Sequence, residues 1–194
     1  MRGTDGIELR PMPVAGMRFL VVFAVAIAAV HASASAATPR AADEVQRRAR
    51  LEAGIVSELN EVRAVRGLRP LRAAPSLRTA ARSHSTAMLE LGFFGHDSAD
   101  GTAFSDRIRR YYTNRGWQTW SVGEALLASE GQQLDAEATV RAWLASPPHR
   151  EIILSPGWRD AGVGAVYTST APEVYGGAEA VVVTADFGFR EGRS

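Results

Sequence analysis

The stretch AGVGAVYTSTAPEVYGGAEAVVVTADFGF (Ala161–Phe189) decides the fold class. Its first seven residues alternate small or apolar side chains with glycine, and its last ten are rich in Val, Thr and Phe. Between them, Thr170 to Gly177 carries Pro172, Gly176 and Gly177. Two short apolar runs around a segment of this kind predict two strands joined as a hairpin.

Upstream the period changes to that of helices. Val45, Leu51, Ile55, Leu59 and Val62 predict an amphipathic helix from Ala41 to about Arg66, ended by Gly67. Leu68 to Leu71 contains Pro70 and reads as an extended connector. A second helix starts near Pro75-Ser76, carries Leu77, Ala80, Ala81, His84, Met88 and Leu91 on one stripe, and closes at Gly92. This puts His84 on the buried face or its edge. Phe93 to Thr102 reads as an irregular, solvent-facing loop, and Phe104 to Tyr112 as a short helix with Ile108 inward. Trp117 to Ala128 is poorly periodic and predicts only a short strand or turn around Val122 to Leu126. From Leu134 a helix with Ala136, Val140, Trp143 and Leu144 on one face runs to Pro147-Pro148, with a one- or two-turn helix at His149 to Leu154. Helices first and strands last predict an α+β fold with a small, mainly antiparallel sheet covered by helices.

The N-terminus reads as an export signal. Arg18 precedes the apolar run Phe19 to Val30, and Ala32 to Ala37 supplies the small residues of a cleavage site. The run is shorter than the roughly 20 residues of a membrane span. The expected organisation is a signal peptide over residues 1–36, with a possible start at Met17, then an extension over 37–50 leading into the first helix and one domain over 51–191. The predicted location is secreted, periplasmic or cell-surface, with no membrane span once the leader is cleaved and with an uncleaved anchor as the alternative.

The chain has no cysteine, so such a domain is held by packing alone. From Ala37 onward 19 Arg balance 19 Asp plus Glu, which gives no footprint for nucleic acid. Residues 40–82 are locally basic, with ten Arg against five acids; they read as a solvated helix face or as a surface for an anionic wall polymer or lipid.

After the leader only three histidines remain, His84, His96 and His149, each inside a short motif. Imidazole binds metals and moves protons near neutral pH. Glu124, set among Val122, Ala125, Leu126 and Leu127, is a carboxylate that burial would penalise unless it met a cation or several donors.

Several stretches in order carry a resemblance: LNEVRAVRGLRPL (59–71), AARSHSTAM (80–88), FFGHDSADG (93–101), Arg107-Ile108, Val122-Gly123-Glu124, WLASPPHREIIL (143–154), AGVGA (161–165) and DFG (186–188). Together they resemble the CAP superfamily of cysteine-rich secretory, antigen 5 and pathogenesis-related proteins, in its small cysteine-free bacterial branch. The resemblance implies a three-layer α-β-α sandwich with a cavity floored by two histidines and two acids. The matching positions are His96, Glu124 and His149; where the second acid would stand this chain has Ser146, and Ala125 replaces a frequent Asn. The family also implies small ligands, lipids or glycans as partners.

Three readings of the site follow. His96 and His149 could hold a divalent metal such as zinc, with Glu124 orienting an imidazole or acting as base in a metal-assisted hydrolase. Ser146, His149 and Glu124 could form a nucleophile, base and orienter, although Pro147-Pro148 interrupts the helix that would align them. The cavity residues His96, Glu124, Ser146 and His149 could instead bind a small ligand or only stabilise the fold, with His84 supporting from the core. The aromatic residues Tyr111, Tyr112, Trp117 and Trp120 could stack on sugars or pack internally.

Overall fold

A computed structural model describes residues 45–193, so the predicted leader lies outside the described residues. The chain builds β1 (Gln46–Arg47), α1 (Ala49–Val65), β2 (Arg72–Ala73), α2 (Pro75–Leu91), α3 (Phe104–Arg109), β3 (Trp117–Glu130), α4 (Ala136–Ala145), α5 (Pro147–Leu154), β4 (Asp160–Thr168), a 3-10 turn at Glu173–Tyr175 and β5 (Ala180–Arg193). The sheet runs β1-β4-β5-β3 antiparallel, and the short β2 joins β4 in parallel. The predicted hairpin is present, with Val163 opposite Ala185.

β4 and β5 are buried on both faces, so their side chains divide by parity. Val163, Ala165, Val183, Ala185 and Phe187 point to α1, α4 and α5, where Ile55, Leu59, Val140, Trp143 and Ile153 complete the larger core. Val166 and Val182 point the other way, onto Met88 and Leu89 of α2. The result is the three-layer α-β-α arrangement.

The even positions of β4 explain its glycines. A Cβ at Gly162 would lie 2.0 Å from the backbone nitrogen of Arg78, and one at Gly164 would lie 2.2 Å from that of Arg82. Spacing of two on the strand meets spacing of four on the helix, and α2 rests on the sheet backbone itself. Ser85 seals this contact by donating to the Gly164 carbonyl at 3.0 Å, with Thr184 at 2.9 Å on its other side.

Three local expectations need correction. The first helix starts at Ala49, not Ala41: Gln46-Arg47 pair with Tyr167 and Val166, and Val45, which falls off the helical stripe, packs with the α2 core. The segment after Trp117 is a 14-residue strand, hard to read because Gly123 to Leu126 are buried on both faces and lose alternation. Pro147 and Pro148 end α4 but also open α5, where proline at the first turn forfeits no helical hydrogen bond.

Candidate functional site

The parity that sorts the core also sorts the polar groups. Leu126 of β3 faces α2, so Glu124, two residues earlier, faces the same side. Asp186 stands directly opposite it on β5. His84 reaches this layer from α2, Arg107 from α3 and His96 from the loop between those helices.

Glu124 is the hub. Its carboxylate is buried and accepts from His96 Nδ1 at 2.8 Å and from Arg107 Nη2 at 2.5 Å, one bond to each oxygen. Burial alone would raise its pKa; the hydrogen bond from His96 and the charge of Arg107 outweigh that and hold it below the usual range. Arg107 also donates to the His96 carbonyl at 3.1 Å, fixing both ends of that residue. His96 therefore spends Nδ1 inward and keeps Nε2 on the far edge of a ring that is 42 % exposed.

His84 is 1 % exposed, and its Nε2–H donates to the Gly95 carbonyl at 2.9 Å. Burial lowers its pKa, so the ring stays neutral and serves as a peg for the loop that carries His96. His149, in the first turn of α5, is half-buried. Its pKa is lowered by burial and by the charge of His96.

Ser146 lies at the α4–α5 junction, and its side chain caps neither helix. No hydrogen bond joins it to His149 among the described residues, and both Glu124 oxygens are committed elsewhere. The Ser146–His149–Glu124 relay is therefore not assembled. The Glu124 carboxylate is also closed to solvent, held ionised by the hydrogen bond from His96 and the charge of Arg107. Among the described residues no group of three or more His, Asp or Glu gathers as an ion cage. The donors that remain are His96 Nε2 and the His149 ring, an imidazole pair whose first member is backed by a carboxylate.

Two members of the cluster escaped the sequence reading as charged site groups. Arg107 looks like any of the arginines around it, because only the tertiary fold shows that its side of a six-residue helix is inward. Asp186 did carry a signal, an acid inside a buried Val/Thr/Phe strand. Both its oxygens are buried opposite the Glu124 carboxylate, and Arg107 Nε and Nη1 and His84 Nδ1 are buried without a partner. Burial and the adjacent Glu124 charge push the Asp186 pKa well above the ordinary carboxyl range.

That shift has a testable sign. The folded protein keeps a proton that the unfolded chain releases above about pH 3.9, so Asp186 costs stability as the pH rises from there. Asp186→Asn should therefore melt higher than wild type at pH 7, with the two curves converging below about pH 3.9. Thermal melts across pH check this; a variant that melts lower at pH 7 contradicts it.

The aromatic set divides. Tyr112 is buried on Gly188 and donates to Asp160 at 2.7 Å, and Trp120 donates to the Tyr112 carbonyl at 2.7 Å, so both serve packing. Trp117 lies beneath the guanidinium groups of Arg190 and Arg193.

With the hub and its two imidazoles defined, comparison with known proteins is decisive: the sequence profile of the cysteine-rich secretory protein family matches residues 56–187. The chain belongs to the CAP family. The YkwD protein of Bacillus subtilis is 31 % identical over 115 residues, covering 59 % of this chain and 42 % of that protein. An extracellular SCP-domain protein of Bacillus anthracis superposes with a TM-score of 0.57 at 26 % identity, covering 74 % of this chain and 41 % of its own. An outer surface protein of Borrelia burgdorferi shares the fold, with a TM-score of 0.53 at 23 % identity over 71 % of this chain and 90 % of its own. This chain thus spans less than half the length of the two Bacillus proteins. The expected family, bacterial relatives and the α+β sandwich are borne out, in a chain that itself has no cysteine. No helix among the described residues is long and apolar enough to cross a membrane.

Proposed function

We propose that this CAP-family chain is an exported binding module whose ligand face is formed by His96 and His149, with Ser146 at its rim. The observation that carries this reading is the anchoring of His96. Glu124 holds the ring through Nδ1, Arg107 holds the backbone carbonyl, and Nε2 stays on the far edge of the ring, with His149 as the second imidazole of the proposed face. Two such rings accept or donate hydrogen bonds to a small polar ligand without a nucleophile or an accessible carboxylate base, which favours binding over hydrolysis. The leader sequence supports export, as do relatives described as extracellular or outer-surface proteins.

A second reading, a weakly held divalent ion, has one observation in its favour. A carboxylate accepting from Nδ1–H is the arrangement that orients a histidine for metal binding at Nε2. With Ser146 in place of an acid, such an ion receives no negative charge from the rim.

Thermal melting with zinc, tri-N-acetylglucosamine and palmitate as separate probes tests both readings. A probe at 100 times its Kd stabilises the fold by about 2.7 kcal/mol, a shift of several degrees. The expected result is a shift with at least one probe that disappears in the His96→Ala/His149→Ala variant. A zinc shift alone selects the ion; no shift with any probe, or one that persists in the variant, overturns the face.

A further inference from the structure

A second surface, beside α3, carries a concentration of positive charge. A groove of about 640 Å³ opens beside α3, lined by Arg109, Arg110 and Arg115 with Thr113, Asn114 and Asp106. Asp106 is the one acid in the lining and is bound to Arg109 at 2.6 Å. Asp100 stands near Arg110 and is held by the backbone of Thr102. The Arg110 and Arg115 side chains make no hydrogen bond or ion pair among the described residues. Next to the groove, Arg190 donates to the Thr113 carbonyl at 3.2 Å and lies 3.7 Å above the Tyr112 ring, and Arg193 covers Trp117 at 5.0 Å. Five arginines thus face one region of a chain whose formal net charge is only +1.

We propose that this groove binds an anionic extracellular polymer whose charges are phosphodiester groups spaced along a polyol or sugar backbone. Guanidinium groups recognise phosphate oxygens in pairs, and Thr113 and Asn114 offer hydroxyl and amide partners for the units between the charges. The Tyr112 and Trp117 rings are capped by arginine, which closes these two both to insertion into lipid and to stacking on bases. The basic run at residues 40–82, where the sequence pointed to such a surface, lies largely on other elements.

Titration of the protein with poly(glycerol phosphate), followed by calorimetry, tests the assignment. Three arginine contacts at about 0.7 counterions each lower affinity roughly twentyfold between about 50 and 200 mM salt. The Arg109→Gln/Arg110→Gln/Arg115→Gln variant should lose both the binding and that salt dependence. A control with the same loss of charge, Arg50→Gln/Arg66→Gln/Arg69→Gln, should stay within about twofold of wild type, since net charge alone acts only through screened, long-range attraction. Equal loss in both variants, or no binding by wild type, overturns the proposal. Binding of phosphatidylglycerol vesicles or single-stranded DNA as tight as the polymer, lost in the groove variant, also overturns the polymer assignment and marks a lipid or nucleic-acid surface.

Discussion

Replacing Glu124 with Leu should destabilise the protein by about 3–5 kcal/mol, the usual consequence of stranding one half of a buried ion pair. The guanidinium of Arg107 is 8 % exposed and would lose its charged partner, and His96 would lose the bond that orients its ring. The effect should depend on Asp186 in a way that identifies the network. Asp186 alone is costly at neutral pH, so Asp186→Asn stabilises the wild type. In the Glu124→Leu background the sign reverses, because Asp186 then supplies the only remaining charge in the pair of facing carboxyls, and removing it should deepen the loss by about 1 kcal/mol. Chemical denaturation of the four proteins at pH 7 measures the cycle; additive effects would contradict a shared network. The native pair is also acid-sensitive. The pKa of Glu124 is lowered on folding, so its contribution is complete above about pH 4.3 and is lost as the pH falls through the folded value.

Gly164→Ala should cost at least about 3 kcal/mol, at the severe end for overpacking. The added carbon meets backbone of α2 at 2.2–2.5 Å, so no side-chain rotation relieves it, and the helix must lift. Gly162→Ala meets the same helix one turn earlier, and the double variant should fail to fold cooperatively. By contrast Gly95→Ala, whose Cβ would meet nothing within 4 Å, should melt close to wild type. Thermal melts of the four variants test this, and a stable Gly162→Ala/Gly164→Ala double variant would refute the direct seating of α2 on β4.

These cases mark how far the residues could be read one at a time. Helix stripes and the final hairpin were legible because their period survives in sequence. β3 was not, since its centre is covered on both faces and has no alternation to read. AGVGA announced a strand, but that its glycines admit a helix emerges only when Arg78 and Arg82 come within reach. At the site, scarcity singled out the histidines and an apolar setting singled out Glu124. Arg107 had no such mark, because the force that makes it special is the desolvation of Glu124, a property of the assembled sandwich. Asp186 belongs with them: its partner across the sheet is 62 positions away in sequence and becomes a neighbour only through the β3–β5 register.

The binding face depends on His96 being held through Nδ1 so that Nε2 stays free on the far edge of the ring. Long-range ¹H–¹⁵N correlation of the histidine rings at about pH 8, where ordinary imidazoles are neutral, reads the tautomers directly. The expected spectrum has His96 protonated on Nδ1 with a bare Nε2, and His84 the reverse, protonated on the Nε2 that donates to Gly95. A His96 ring protonated on Nε2, or averaged between tautomers as a free surface imidazole would be, contradicts it.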